Sequence, residues 1–238
     1  GAGAGAPSLP HKLVAGTEEH RQCRWVVSEA LAVEGSRALA LEPQYAALGK
    51  VPHAAVAAQV ACDGAPPTRR EGRCFGAPLP LHSCSGLPVY VFGQFELSSP
   101  GREVLLIPDA ADPRSLSAVA WNRALFACVA AAYAALLKGL PRMLGLPTST
   151  SSPGSMYGFW PLSASVAHEE LLPLLLGPLY RSLSTQPLFL AIPRDLEDGT
   201  SEPASRRQRP VLRRLEDGVV CPPAVSGELH QFVQTHGI

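Results

Sequence analysis

Asparagine is almost missing from this chain, with Asn122 its sole example among 238 residues, and lysine occurs at only three positions, Lys12, Lys50 and Lys138. That shortage follows no chemical pattern and excludes nothing. The shortage of charge is more informative. Only 17% of residues are Asp, Glu, Lys or Arg, and 20 acidic side chains balance 20 basic ones. With 46% hydrophobic residues, this composition excludes a chain that is disordered throughout. The balance removes any net field that would draw the whole molecule to nucleic acid or to an anionic membrane. A compact fold of this size hides roughly 70% of its unfolded surface, so a substantial core is expected.

Chemical signatures are equally sparse. The six cysteines (Cys23, Cys62, Cys74, Cys84, Cys128, Cys221) contain no C-x-x-C pair and no Cys/His quartet at zinc spacing, so no metal site is expected. Reduced, mostly buried thiols in a cytoplasmic protein are the plain reading. There is no G-x-S-x-G elbow and no S-x-x-K, and "AHEEL" is not H-E-x-x-H. "HSCSG" sets His82 two residues from Cys84, an arrangement more often structural than catalytic. The glycines of "GAGAGAPS" follow no strand and lead to no G-K-[ST], which removes a phosphate-binding loop. Arg206, Arg207, Arg209, Arg213 and Arg214 are flanked by Glu202, Glu216 and Asp217 without interleaved aromatics, so a solvated loop is expected rather than a nucleic-acid interface. The start lacks the basic and apolar regions of a signal peptide. The most apolar run, "ALFACVAAAYAALL" between Arg123 and Lys138, is shorter than the roughly 18 residues a membrane span needs. A soluble protein without membrane contact is expected, and a first residue other than Met points to a piece of a longer polypeptide.

What is present reads as a mixed α/β chain of the α+β class, an antiparallel-containing sheet packed with Ala/Leu-rich buried helices. "HRQCRWVVSEAL" is a short buried strand or the start of a helix, and "LEPQYAALG" a helical turn closed by Gly49. "VPHAAVAAQVA" is a small-residue segment able to pack closely. Residues 73–81 and 87–97 are two extended stretches joined by "HSCSG", a turn of hairpin length. In the second, Val89, Val91, Phe95 and Leu97 share one face with Gly93, while Tyr90, Phe92, Gln94 and Glu96 share the other. Gly93 there marks a bulge or a close backbone approach. The clearest helix is "DPRSLSAVAWNRALFACVAAAYAALLKGLP", with Asp112 as N-cap, Pro113 at the first position and a stop at Gly139 and Pro141. "LPTSTSSPGSMYG" is a loop, "VAHEELLPLLLGPLYRSLS" a helix broken near Pro173 and Pro178, and "PLFLAIP" a short buried strand. The expected layout is a flexible lead-in over 1–10, one α+β domain over 11–193, a flexible charged insertion over 194–210, and the start of a following strand-helix segment over 211–238.

One stretch goes further. "GRCFGAPLPLHSCSGLPVYVFGQFELSSPGREVLL", followed some twenty residues on by "WNRALFACVAAAYAALL", resembles the internal repeat of sacsin and its relatives. Gly72, Arg73, Phe75, Pro78-Leu79-Pro80, Gly86-Leu87-Pro88-Val89, Gly93, Phe95, Leu97-Ser98-Ser99, Arg102, Trp121-Asn122 and Tyr133-Ala134 stand in the family's order. The match covers residues 72–137 and extends loosely over about 50–192; the family's Asn-Arg-Arg after the double serine is here Pro100-Gly101-Arg102, and its strand His and Asn are Tyr90 and Phe92. The resemblance implies a cytoplasmic, chaperone-associated segment lying after an ATP-binding module of the heat-shock and gyrase type. The chain itself lacks the Asn-bearing helix and D-x-G-x-G loop of such a module, so no cofactor is expected in this segment, ATP entering only through the upstream module. The implied partners are other domains of the same polypeptide and DnaK-type chaperones or client proteins. Structural roles are expected for Gly86, Pro88, Gly93, Trp121 and Asn122. Tyr90 and Phe92 form a candidate interaction face. Arg102 is the candidate phosphate contact if the chain instead supplies one half of a split ATPase site.

Overall fold

A computed structural model describes residues 12–18, 21–33, 35–62, 73–75, 80–98, 103–145, 153–162, 166, 168–191 and 211–213. The fold is α+β. A six-stranded sheet has the order β1-β2-β3-β6-β4-β5, with β1 Lys12–Glu18, β2 Arg21–Leu31, β3 His53–Cys62, β4 Arg73–Phe75, β5 Pro80–Cys84 and β6 Tyr90–Gly93.

The knot Trp25-Val26-Val27 resolves as strand. Val26 and Ser28 are buried on one face of β2, while Trp25 and Val27 stand half-buried on the other, the alternation of a sheet with two unequal faces. β2 pairs antiparallel with β1 (Val26 opposite Leu13) and with β3 (Val26 opposite Ala58). β3 is rich in Ala, a residue of poor strand propensity, and its placement between two paired strands overrides that preference. Its inner positions Ala54, Val56, Ala58 and Val60 are buried in the core.

The sequence predicts a hairpin between residues 73–81 and 87–97; the structure corrects this. β4 pairs antiparallel with β5, which takes in His82-Ser83-Cys84, and β6 lies antiparallel to β3 (Val56 opposite Val91) and parallel to β4 (Cys74 opposite Val91). The second stretch is thus the seam between the two halves of the sheet. Its alternation is nevertheless the expected one, with Val89, Val91 and Phe95 buried and Phe92 exposed.

Two short helices, α1 Ser36–Ala40 and α2 Pro43–Ala46, bridge β2 and β3. The long helix α3, Ser115–Met143, packs on the inner faces of β2 and β3. It starts later than the Asp112-Pro113 signal predicts. Asp112 Oδ1 accepts from the Arg114 amide at 2.9 Å, so the aspartate holds the turn before the helix rather than capping it. The helix also runs through Gly139 and Pro141. Near the C-terminus proline forfeits one backbone bond only, and Leu140 and Pro141 are both buried. Gly145, at φ 69°, ends the element. By length and composition α3 is apolar enough to cross a bilayer, but it is mostly buried inside the molecule.

Pro153–Phe159, predicted as loop, forms a 3₁₀ helix held by buried aromatics: the Tyr157 hydroxyl donates to Leu188 O at 3.2 Å, and Tyr133 donates to Phe159 O at 2.5 Å. Pro173 does not break the next helix. It sits in a π-helical turn, Leu172–Leu176, that leads directly into α4, Gly177–Ser184. "PLFLAIP" contains β7, Phe189–Ala191, which pairs antiparallel with β8, Val211–Arg213, in a second sheet. Residues 194–210 therefore connect two paired strands. The lead-in over 1–10 and residues 214–238 lie outside the described residues.

Candidate functional site

Gly93, Phe95, Trp121 and Asn122, four of the residues that carry the sacsin resemblance, meet where β6 ends against the first turns of α3. Past Gly93 the chain leaves the sheet, and its backbone groups need new partners. α3 supplies them. Trp121 Nε1 donates to Gln94 O at 2.8 Å, and Asn122, fully buried, accepts from the Glu96 amide at 2.8 Å while its amide nitrogen donates to Glu96 O at 2.7 Å and Leu105 O at 2.8 Å. A single side chain thus completes a two-way backbone ladder on Glu96 and joins it to the returning segment. Asn suits this because it carries a donor and an acceptor on one short planar group. Beside it, Leu97 bridges Val104, and Ser98 N donates to Glu103 O at 2.8 Å.

Gly93 sits at a close approach. A Cβ there would lie 3.0 Å from the Phe95 ring, which is held against Phe126 at a centroid distance of 5.2 Å. Gly86 takes φ 70° in the entry to β6, Pro88 is buried there, and Ser85 Oγ accepts from Leu87 N at 3.3 Å. Arg102 lies outside the described residues, between Ser98 and Glu103. The side chains of His82 and Cys84 also lie outside them, as do Arg206, Arg207 and Arg209.

Tyr90 and Phe92 stand on the outer face of the sheet. Tyr90 is half-buried and meets Trp25 of β2 edge-on at 5.2 Å; Phe92 is 40% exposed. The two rings touch across β3 because Ala57, opposite both Val27 and Tyr90, is too small to separate them. His53 and Glu29 add an exposed pair at 3.7 Å on neighbouring strands, and Leu31 is 49% exposed.

Two features have no counterpart in the sequence reading. Lys50 is bonded to Glu96, and its ammonium lies 4.9 Å from the centre of the Trp121 ring and 5.8 Å from that of Tyr45. Tyr45 stacks on Trp121 at 5.3 Å and donates to Ser117 O at 2.7 Å. Burial pushes the Lys50 ammonium below its ordinary pKa. Nothing local in the sequence pairs Lys50 with Glu96, 46 residues away. The second feature corrects the expectation of reduced thiols throughout: Cys23 and Cys62, directly opposed on β2 and β3, form a disulfide. Cys128 is a free cysteine, buried with its thiol donating to Pro52 O at 3.4 Å.

Among the described residues no group of three His, Cys, Asp or Glu side chains is placed to hold a metal ion. The geometry at the β6–α3 junction is that of a structural clamp, with the polar groups of Trp121 and Asn122 committed to backbone partners. Comparison with family models, with curated proteins and with solved structures finds no match for this chain.

Proposed function

We propose that the chain is a non-catalytic segment of a sacsin-like chaperone or co-chaperone protein, scaffolding or coupling to an ATP-binding module in the cytoplasm. The observation that supports this reading is the use made of the shared residues. Gly93, Phe95, Trp121 and Asn122 meet in one clamp, and their polar groups bond backbone rather than pointing into a cleft. Residues spent in this way hold a shape. The outer face with Phe92 and Leu31 is where such a scaffold would meet a client or a neighbouring domain, since large apolar side chains on a sheet face favour protein contacts.

The test is protection of a thermally unfolding reporter enzyme from aggregation, followed by light scattering with and without ATP. The chain is expected to delay aggregation with no dependence on ATP. Phe92→Ser is expected to reduce protection at least twofold while leaving the melting temperature within about 2 °C, a surface change costing little stability. Absence of protection at any molar ratio would overturn the chaperone assignment.

A further inference from the structure

We infer that Cys23 and Cys62 are a reversible dithiol–disulfide pair, opened and closed by exchange with glutathione. Three observations carry this. The two residues face each other in the β2–β3 ladder, so the unbroken pairing from Trp25–Gln59 to Leu31–His53 holds the two strands together and keeps the thiols within reach of each other after reduction. Their access differs: Cys23 is buried at 5% exposure, whereas Cys62 is only half-buried. The ladder is also irregular beside them, with a bulge between Arg24 and Trp25, so the last pairs lie beyond a break in the regular register.

Unequal access sets the order of events. A glutathione thiolate attacks Cys62 Sγ, the S–S bond breaks, and Cys23 leaves as a thiolate and takes up a proton. A second glutathione thiolate attacks the glutathione sulfur of the mixed disulfide. This releases Cys62 as a thiol and yields one glutathione disulfide, so two electrons and two protons pass from two glutathione molecules to the protein. Closure is the reverse, with glutathione disulfide as oxidant. The closed bond ties the end of β3 to the beginning of β2, at the point where the chain departs toward β4.

The whole chain is equilibrated in buffers running from excess reduced to excess oxidised glutathione, quenched with a thiol-alkylating reagent, and mapped by peptide mass spectrometry. The Cys23–Cys62 cross-link is expected to pass from nearly absent to nearly complete across that series, with Cys128 alkylated only after unfolding. Hydrogen exchange at residues 23–24 and 61–62 is expected to quicken about tenfold on reduction, as local opening becomes cheaper, while Val56 and Val26 stay protected. The Cys23→Ser, Cys62→Ser double variant is expected to lose the glutathione dependence at those amides. A cross-link that survives excess reduced glutathione, one that never forms in excess oxidised glutathione, or pairing of either cysteine with a different partner would overturn the inference.

Discussion

Asn122 bonds more backbone groups than any other single polar side chain described at the β6–α3 junction: it meets three, and two of them, the Glu96 amide and Leu105 O, depend on it. Asn122→Ala strands the Glu96 amide and Leu105 O beside a fully buried position, at about 1–3 kcal/mol for each one left unsatisfied, while Glu96 O keeps its bond from the Leu105 amide. A total loss of about 3–4 kcal/mol is expected, read as a fall of roughly 10 °C in melting temperature for a chain of this size. Asn122→Asp should rescue little, since a carboxylate cannot donate to Glu96 O and Leu105 O and would bury a charge. The opposite sign is expected at Ser28. Its hydroxyl is buried without a hydrogen-bond partner, so Ser28→Ala removes an unpaid desolvation and should raise stability by about 1 kcal/mol in denaturant titration. Both roles show how differently two residues speak in a sequence. Asn122 stands out beside Trp121 in a motif, which marks it for a structural role without naming the backbone groups it bonds; the Lys50–Glu96 bond over Trp121 carries no mark at all, because its partners meet only after the sheet and α3 have packed.

At the scale of elements, the small residues of β3 set the distance between sheet and helix. Ala54 and Ala58 are fully buried toward α3, and Trp121, Leu125, Val129, Ala132 and Leu136 are buried in the same core. Ala58→Leu forces added volume into this contact and should cost about 1–3 kcal/mol. Gly93→Ala should cost about 1 kcal/mol, the new methyl pressing on a ring that is itself pinned by Phe126. Equilibrium unfolding monitored by circular dichroism checks both. The position of α3 and the alternation from Val89 to Phe95 were readable because periodicity encodes burial directly. Strand pairing was not. Short strands joined by Pro/Gly-rich turns carry no mark of their partner, so residues 87–97 looked like the hairpin mate of 73–81, although β3 and β4 flank β6 and β4 runs parallel to it. The continuation of α3 through Pro141 and of the following helix through Pro173 shares another cause. Burial of Leu140 and Leu175 favours continuing the helix where the local breaker signal favours stopping it.

For the molecule as a whole, the two readings divide on nucleotide. A scaffold has its shared residues locked into the β6–α3 clamp and meets other proteins through the face around Phe92. A split ATPase half would place Arg102 against a terminal phosphate, and Arg102→Ala would then slow hydrolysis by a polypeptide that includes the ATP-binding module, by a factor on the order of 10³. On the scaffold reading the same substitution leaves that rate within twofold. The most direct measurement needs only the chain itself: isothermal titration with magnesium ATP, at protein concentrations able to detect millimolar affinity. The account predicts no saturable heat, and stoichiometric, saturable ATP binding would contradict it.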